Sequence, residues 1–305
     1  MYIPNVWIVI VNYKGLEDTQ ECLRSVERID YEKYQVIVVD NESDDLTVAI
    51  LEAEFPSVRV LRSQKNLGYS GGNNLGVQLA LLEGAEFIWL LNNDTIVTPD
   101  ALYSLIELSI KCPDKGFYGS FINYYDDKNM IWYGGGRFYR RIGYIMHDNY
   151  QKMMDSLLEI QEYTVTQWIT GCSMLVRRDV CINYGLLDES LFLYEEELDW
   201  QLRASNGNPS AAIVTRPLVY HKISASTNRE KQRVDLGASF TSRNRWRIAN
   251  SFAGIYYIVW ITTWFLQYVM KPLLCGRINY SYSAIIGAIH HRDSAEDFLG
   301  RVHRK

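Results

Sequence analysis

Three groups of oxygen- and nitrogen-bearing side chains define the chemistry open to this chain. Asn92-Asn93-Asp94-Thr95 directly follows the apolar run Phe87–Leu91. Its hard oxygen donors suit Mg2+ or Mn2+ held together with phosphates better than a soft metal. Glu195, Glu196, Glu197 and Asp199 place four carboxylates within five positions. Acids at a helix start favour the macrodipole, but so many so close repel one another, and that cost argues for a task. A carboxylate set apart from the metal could take the proton of an attacking hydroxyl. His221, just after the strand-like Ala211–Tyr220, is a candidate further metal ligand, although a single histidine is more often structural.

The elements that position these groups are visible as alternating patterns. Val6–Val11, Val36–Val39, Val58–Leu61 and Phe87–Leu91 are short apolar runs of the kind that fill strands covered on both faces. Helical patterns carrying Leu23 and Val26, then over Leu46–Phe55 and Leu75–Leu82, lie between them. Such alternation predicts an α/β fold with a mostly parallel, Rossmann-like sheet flanked by helices. Asn12, Asp40, Asn66 and Asp94 each fall just past a strand, so all four are expected along one edge, where open α/β sheets bind ligands.

That edge carries two further signals. Asp40 opens DNESDD; an acid there commonly takes ribose hydroxyls or a base edge, and the stretch holds more polarity than one Asx turn needs. Lys65–Gly76 reads KNLGYSGGNNLG, in which Gly68, Gly71, Gly72 and Gly76 allow close backbone approach and the following helix offers N–H groups to a phosphate. A plain loop with a helix cap at Asn73 or Asn74 is the structural alternative. The stretch is neither a GxGxxG dinucleotide fingerprint nor a Walker A loop.

Composition narrows the class. The 305 residues are 48% hydrophobic and 22% charged, which is ordinary for a globular chain and rules against disorder. Five scattered cysteines without a CxxC fit reduced thiols in a cytosolic compartment. The amino terminus lacks a basic segment ahead of its apolar run, so no signal peptide is expected. The net charge of -5 is unevenly spread: from Lys222 onward 13 Lys and Arg face 5 Asp and Glu, leaving the preceding 221 residues at -13. A basic tail points to a polyanionic surface, and with no nucleic-acid recognition motif that surface is expected to be a membrane. Between Arg247 and Lys271 no residue is charged, and Tyr256, Trp260, Trp264 and Tyr268 recur every four residues. The basic run Arg229–Arg247 precedes them. This stripe is expected to lie in the membrane interface, as Trp and Tyr prefer, with a core-packed helix as the alternative.

Taken together, these stretches resemble glycosyltransferase family 2, the inverting nucleotide-sugar transferases with the GT-A fold, from about Trp7 to Arg247. The family's VNY falls on Val11-Asn12-Tyr13, its VVDNxS on Val38–Ser43 and its NxGxxGGNNxG on Asn66–Gly76. The resemblance implies that Asn12, Tyr13, Asp40, Asn66, Gly68, Gly72, Asn74 and Asn93 surround the donor, a nucleotide-diphosphate sugar. It implies that Asp94, within the metal motif at Asn92–Thr95, binds Mg2+ or Mn2+ with His221. The family's GxxMLxRR element falls on Gly171–Arg178. FxYxEDxDLxxR falls on Phe192–Arg203, which passes the role of catalytic base to Glu197 with Glu196 its neighbour. Two departures stand out: Asn92 replaces the first acid of DxD, and Glu197 replaces an aspartate.

Arg243-Asn244-Arg245 adds a likeness to rhamnosyltransferase-like enzymes of bacterial surface polysaccharides. This implies dTDP-rhamnose or a UDP-hexose as donor and a saccharide or lipid-linked saccharide as acceptor. The expected organisation is a catalytic domain over 1–225, in which residues 1–115 bind the donor and residues 116–225 the acceptor. A basic, aromatic-rich helical extension follows over 226–305. Cytoplasmic placement on the inner face of the cell membrane goes with it. The rival readings are a sugar-nucleotide nucleotidyltransferase and a non-catalytic, membrane-associated glycan-assembly protein. A nucleotidyltransferase would usually carry a glycine-rich basic loop after the first strand, where Asn12–Gly15 has one Gly and one Lys.

Overall fold

The computed structural model of the protein describes residues 2–42, 45–157, 161–223 and 235–302. Some of the expected basic run, including Arg229 and Arg233, lies outside these residues, as do Ser43 and Asp44 of the acidic stretch.

The first apolar run forms β1 (Val6–Asn12), buried along its whole length except at Val11. Helix α1 (Leu16–Val26) follows and turns Thr19, Cys22, Leu23 and Val26 inward, the spacing of one helical face. Then come β2 (Tyr34–Asn41), α2 (Asp45–Glu54), β3 (Arg59–Ser63), α3 (Gly68–Leu82) and β4 (Phe87–Asn92). β1 lies between β2 and β4 and runs parallel to both, with Asn12 level with Asp40 and Val11 level with Asn92. The register brings the polar strand ends to one edge at one height, as the sequence pattern required.

The second half changes the sheet's character. It supplies β5 (Thr95–Val97), α4 (Ala101–Lys111), β6 (Phe117–Tyr124), β7 (Ile131–Tyr133), β8 (Gly136–Tyr139), β9 (Tyr144–His147), β10 (Tyr163–Thr166), β11 (Ser173–Arg177), α5 (Arg178–Tyr184), α6 (Glu196–Ala204) and β12 (Ala211–His221). The order across the main sheet is β10-β12-β6-β11-β4-β1-β2-β3. β11 enters antiparallel between β4 and β6, and β5 pairs antiparallel with the end of β12, setting His221 opposite Thr95. β8 and β9 form a separate hairpin.

Helix α3 begins at Gly68, seven residues before the helical pattern read from sequence. Glycine disfavours helix by about 1 kcal/mol per residue, so local propensity concealed this start. Packing explains it. A Cβ on Gly72 would lie 2.9 Å from Val11 Cγ1, and one on Gly76 would lie 2.5 Å from Val9 Cγ1. The glycines let α3 lie directly on β1.

After β12 the chain is helical: α7 (Leu236–Phe252), α8 (Tyr257–Trp264), a π-helical segment (Phe265–Met270), α9 (Lys271–Leu274), α10 (Ile278–Ile289) and α11 (Ala295–Val302). No helix among the described residues is long and apolar enough to cross a membrane. The aromatic stripe faces the protein, correcting its expected membrane orientation. Trp260 is buried and donates from Nε1 to the Arg140 carbonyl at 2.7 Å, and Trp264 donates to Ser242 Oγ at 2.9 Å. A period of four marks a face without saying which side that face meets.

Gly76→Ala is expected to destabilise the fold by about 1–3 kcal/mol through overpacking against Val9. Urea denaturation should show a lower midpoint with an unchanged slope; an unchanged midpoint would remove the packing role.

Candidate active site

The edge is built on paired amides. Asn12 donates from Nδ2 to Asp40 Oδ1 at 3.0 Å, and its Oδ1 accepts from Thr19 Oγ1 at 3.0 Å and from the Gly15 N–H at 3.2 Å. Asp40 is thereby fixed at the end of β2, fully buried. Tyr13 stands at the mouth, 38% exposed, with Lys14 Nζ 5.1 Å from its ring centre. Asn41 is not among the residues that the sequence marks for the site, yet it joins the two donor-side loops. Its Nδ2 donates to Asn66 Oδ1 at 3.0 Å and to the Gly68 carbonyl at 3.1 Å, while its Oδ1 accepts from the Leu67 N–H at 2.8 Å. Asn66 Oδ1 also accepts from the Gly68 N–H at 2.8 Å, satisfying an otherwise open donor at the start of α3.

Several residues of the glycine-rich stretch do architectural work. Gly68 has φ +69°, and a Cβ there would meet the Phe192 carbonyl oxygen at 2.4 Å, so the start of α3 abuts the acidic segment. Gly72 packs on Val11, as above. Asn74 bonds both backbone groups of Leu187 (2.9 and 3.1 Å) and Glu189 Oε1 (3.0 Å), tying α3 to the chain ahead of the acids. Asn93 points back to Thr19 Oγ1 at 3.0 Å and the Gly15 carbonyl at 3.4 Å.

Asp94 and His221, the pair that the family resemblance assigns to a metal, lie side by side. Asp94 Oδ1 lies 3.2 Å from His221 Nε2, both side chains largely buried, and the Lys222 N–H bonds the Asp94 carbonyl at 2.9 Å. Two ligands at 2.0–2.1 Å from one octahedral ion stand about 3 Å apart, so the pair has the separation of neighbouring ligands. Among the described residues no group of three or more His, Cys, Asp or Glu could hold a metal. Any ion here needs oxygens from elsewhere. Trp132, unremarked in the sequence, packs edge-on against His221 with ring centres 4.4 Å apart.

The acids connect to the end of β4 through a short turn. Asn92 donates its N–H to the Cys172 carbonyl at 2.9 Å, and the neighbouring Gly171 N–H bonds the Glu197 carboxyl. Residues 171–172 thus link the end of β4 to the Glu197 carboxyl. Burial, and then the Glu195 carboxylate, push the Glu197 carboxyl up to about 7. Glu196 is raised well above its ordinary value, by burial first and then by Glu197, and its buried Oε2 has no hydrogen-bond partner among the described residues. Glu195 forms an ion pair with Arg245 at 2.7 Å, although burial outweighs the arginine and keeps its carboxyl raised. Asp199 is held by Arg203 at 2.7 Å. Of four crowded carboxyls, two have cationic partners and Glu196 is sealed, while Glu197 is partly open and near neutrality.

A strained backbone presents them. Phe192, Tyr194 and Glu195 have φ of 67°, 67° and 73°, a left-handed conformation costly for non-glycine residues. Asn244 on α7 donates its side-chain amide to the carbonyls of Leu191, Leu193 and Tyr194 at 2.9, 2.9 and 2.7 Å. In the sequence Arg243-Asn244-Arg245 stands only as a likeness. Its polar residues in a helix are the available signal.

A parallel half-sheet with polar side chains gathered at its strand ends, an Asp–His pair and a carboxyl raised to about 7 together define a nucleotide-sugar transferase of the GT-A class. The chain belongs to glycosyl transferase family 2, whose family model matches residues 7–185. It is a glycosyltransferase of glycan biosynthesis, using a nucleotide-sugar donor and a saccharide acceptor. It is similar to a low-salt glycan biosynthesis hexosyltransferase, Agl10, of Haloferax volcanii, with 25% identity over 94% of this chain and 91% of the relative. It is also 25% identical to an N-acetylglucosaminyl-diphospho-decaprenol L-rhamnosyltransferase of Mycobacterium tuberculosis, over 73% of this chain and 78% of that one. Among solved structures, GalNAc-T7 with UDP, GalNAc and Mn2+ matches with a TM-score of 0.67 at 15% identity, covering 99% of this chain and 57% of that one. TarS of S. aureus matches with a TM-score of 0.60 at 13% identity, covering 98% and 81%.

The raised Glu197 carboxyl has a consequence for stability. Between its ordinary value of 4.5 and about 7 the folded chain holds a proton that the unfolded chain releases, so stability falls as pH rises through that window. Glu197→Gln resembles the protonated acid. It is expected to melt above the wild type at about pH 8 and level with it at about pH 5. A melting difference independent of pH would show that Glu197 is not so perturbed.

Proposed function

We propose that the protein is an inverting glycosyltransferase in which Glu197 is the catalytic base and Asp94 with His221 holds Mg2+ or Mn2+. The observation that carries this reading is a ligand-spaced Asp–His pair just past the end of β4, with a carboxyl raised to about 7 bonded to residue 171, next to the residue that pairs with that strand end. The His221–Asp94 separation and their oxygen and nitrogen donors fit a divalent ion that completes its shell with diphosphate oxygens and water. When bound, such an ion supplies Lewis-acid stabilisation to the departing diphosphate.

The chain's own residues supply the rest. Asp40, held by Asn12, takes the nucleoside, with Tyr13 beside it and Asn66 with the start of α3 completing the wall. An acceptor hydroxyl gives its proton to Glu197 as its oxygen bonds to the anomeric carbon, and the carbon–oxygen bond to the nucleoside diphosphate breaks on the opposite face. Glu196, buried beside Glu197, has its carboxyl raised, which disfavours a second negative charge next to the base. dTDP-rhamnose or a UDP-hexose is the donor class favoured, and a saccharide, free or lipid-linked, the acceptor. The hexosyltransferase and the L-rhamnosyltransferase among its relatives support this range. Work on a lipid-linked acceptor calls for the protein at the cytoplasmic face of a membrane.

Purified protein with Mn2+ and a panel of UDP-, dTDP- and GDP-sugars should show thermal protection by one nucleotide class and slow donor hydrolysis. Asp94→Ala should lose both. A panel without protection or hydrolysis would overturn the donor site. With an acceptor in hand, kcat/KM should rise with pH through about 7 as Glu197 ionises, and Glu197→Gln should lower it by about 10²–10⁴-fold while donor protection persists. Full transfer by that variant would move the base elsewhere.

A further inference from the structure

With the aromatic stripe turned inward, the opposite face of the C-terminal helices is left open. On the first arm Ile255 is 91% exposed and Ile258 73%, followed by Phe265 and Leu266. The chain reverses at Cys275-Gly276-Arg277, with Gly276 at φ +76°, and Leu274 at this tip is 81% exposed. On the returning α10, Ile278, Tyr282, Ile285 and Ile289 recur at helical spacing and are all exposed, while Ser281, Ala284 and Ala288 turn inward. One helical hairpin therefore exposes apolar side chains along both arms and at its tip, more than the scattered apolar residues of an ordinary surface.

Charge selects the occupant. From Ile248 to Arg292 there is no Asp or Glu, whereas Lys271 and Arg277 flank the hairpin tip, both exposed. Two copies joined symmetrically through the tip would bring these cations face to face. An anionic bilayer meets them with phosphates while accepting the aliphatic side chains below, and both cations are long enough to reach the head groups. The arms are too short and too interrupted to cross, so the hairpin lies on the surface.

We propose that this hairpin, Ile255 to Ile289, is a docking face for an anionic lipid surface, with Leu274 and Ile278 entering the acyl boundary. It deepens the membrane placement proposed above but does not depend on the transfer chemistry. The first arm also reaches inward: Tyr268 interacts with Arg245, the partner of Glu195. The docked element is thus one side chain from the acidic segment.

The test is co-sedimentation of the full chain with phosphatidylcholine vesicles, with and without phosphatidylglycerol. Binding is expected to require phosphatidylglycerol. Lys271→Gln and Arg277→Gln should each weaken it about fivefold, the effect of one cation near such a surface. Leu274→Asp with Ile278→Asp should abolish it, with circular dichroism and melting unchanged because both side chains are exposed. No sedimentation of the wild type, or equal sedimentation of the double variant, would overturn the proposal. So would a concentration-dependent dimer, seen by light scattering without lipid and lost in that variant. Donor protection measured on the same preparations separates a failure of docking from a failure of the donor site.

Discussion

The active site depends on a backbone that would not hold its shape alone. Three non-glycine residues between Phe192 and Glu195 sit in the left-handed region, at about 1–3 kcal/mol each. The conformation persists because its polar groups are claimed from outside: Asn244 takes three of its carbonyls, and Arg243 takes the Ser190 carbonyl at 3.0 Å. Phe192 is stacked on Phe240 at 5.3 Å, within a small core with Ile286, Phe298 and Val302. Helices well beyond the matched family region therefore set the conformation of the acids. The Glu195–Arg245 pair has the same character. Burial of both partners makes it a poor source of net stability but a strict geometric constraint.

On the donor side rigidity comes from amides rather than charges. Asn12, Asn41, Asn66 and Asn74 each join two or more chain segments, and each uses both ends of its side chain or shares one oxygen between donors. An amide both donates and accepts, so it can tie a strand end to a loop without adding negative charge where a diphosphate must sit. The start of α3 meets Phe192 closely enough that even a methyl group would collide. Donor and acid segments are thus one packed unit.

The parallel half-sheet and its polar edge were legible because fully buried strands read as unbroken apolar runs and the register levels their ends. The Asp94–His221 pairing was legible as motif but needed β5 against β12 to become contact. What the sequence hid was set by tertiary packing. The helix start at Gly68 opposes local propensity, and the left-handed run at Phe192–Glu195 has no glycine to announce it. The role of Asn244 lies in long-range carbonyls that no spacing rule reports. The aromatic stripe is legible as a face, but its spacing does not tell what it faces.

That stripe depends on the π-helical segment at Phe265–Met270. In an α-helix a step of four residues overshoots a full turn by about 40°, so a period-four stripe drifts around the axis. The wider π turn takes back the excess and returns Tyr268 to the side of Trp260 and Trp264. An extra residue is therefore absorbed within the turn rather than passed on as rotation. Six residues wound this way turn the chain about as far as five in an α-helix, so deleting one residue and restoring an ordinary α-helix would leave the hairpin tip on the same face, one residue nearer the catalytic body. The segment is thus a place where the chain can gain or lose one residue while the tip keeps its aim and the donor edge is untouched.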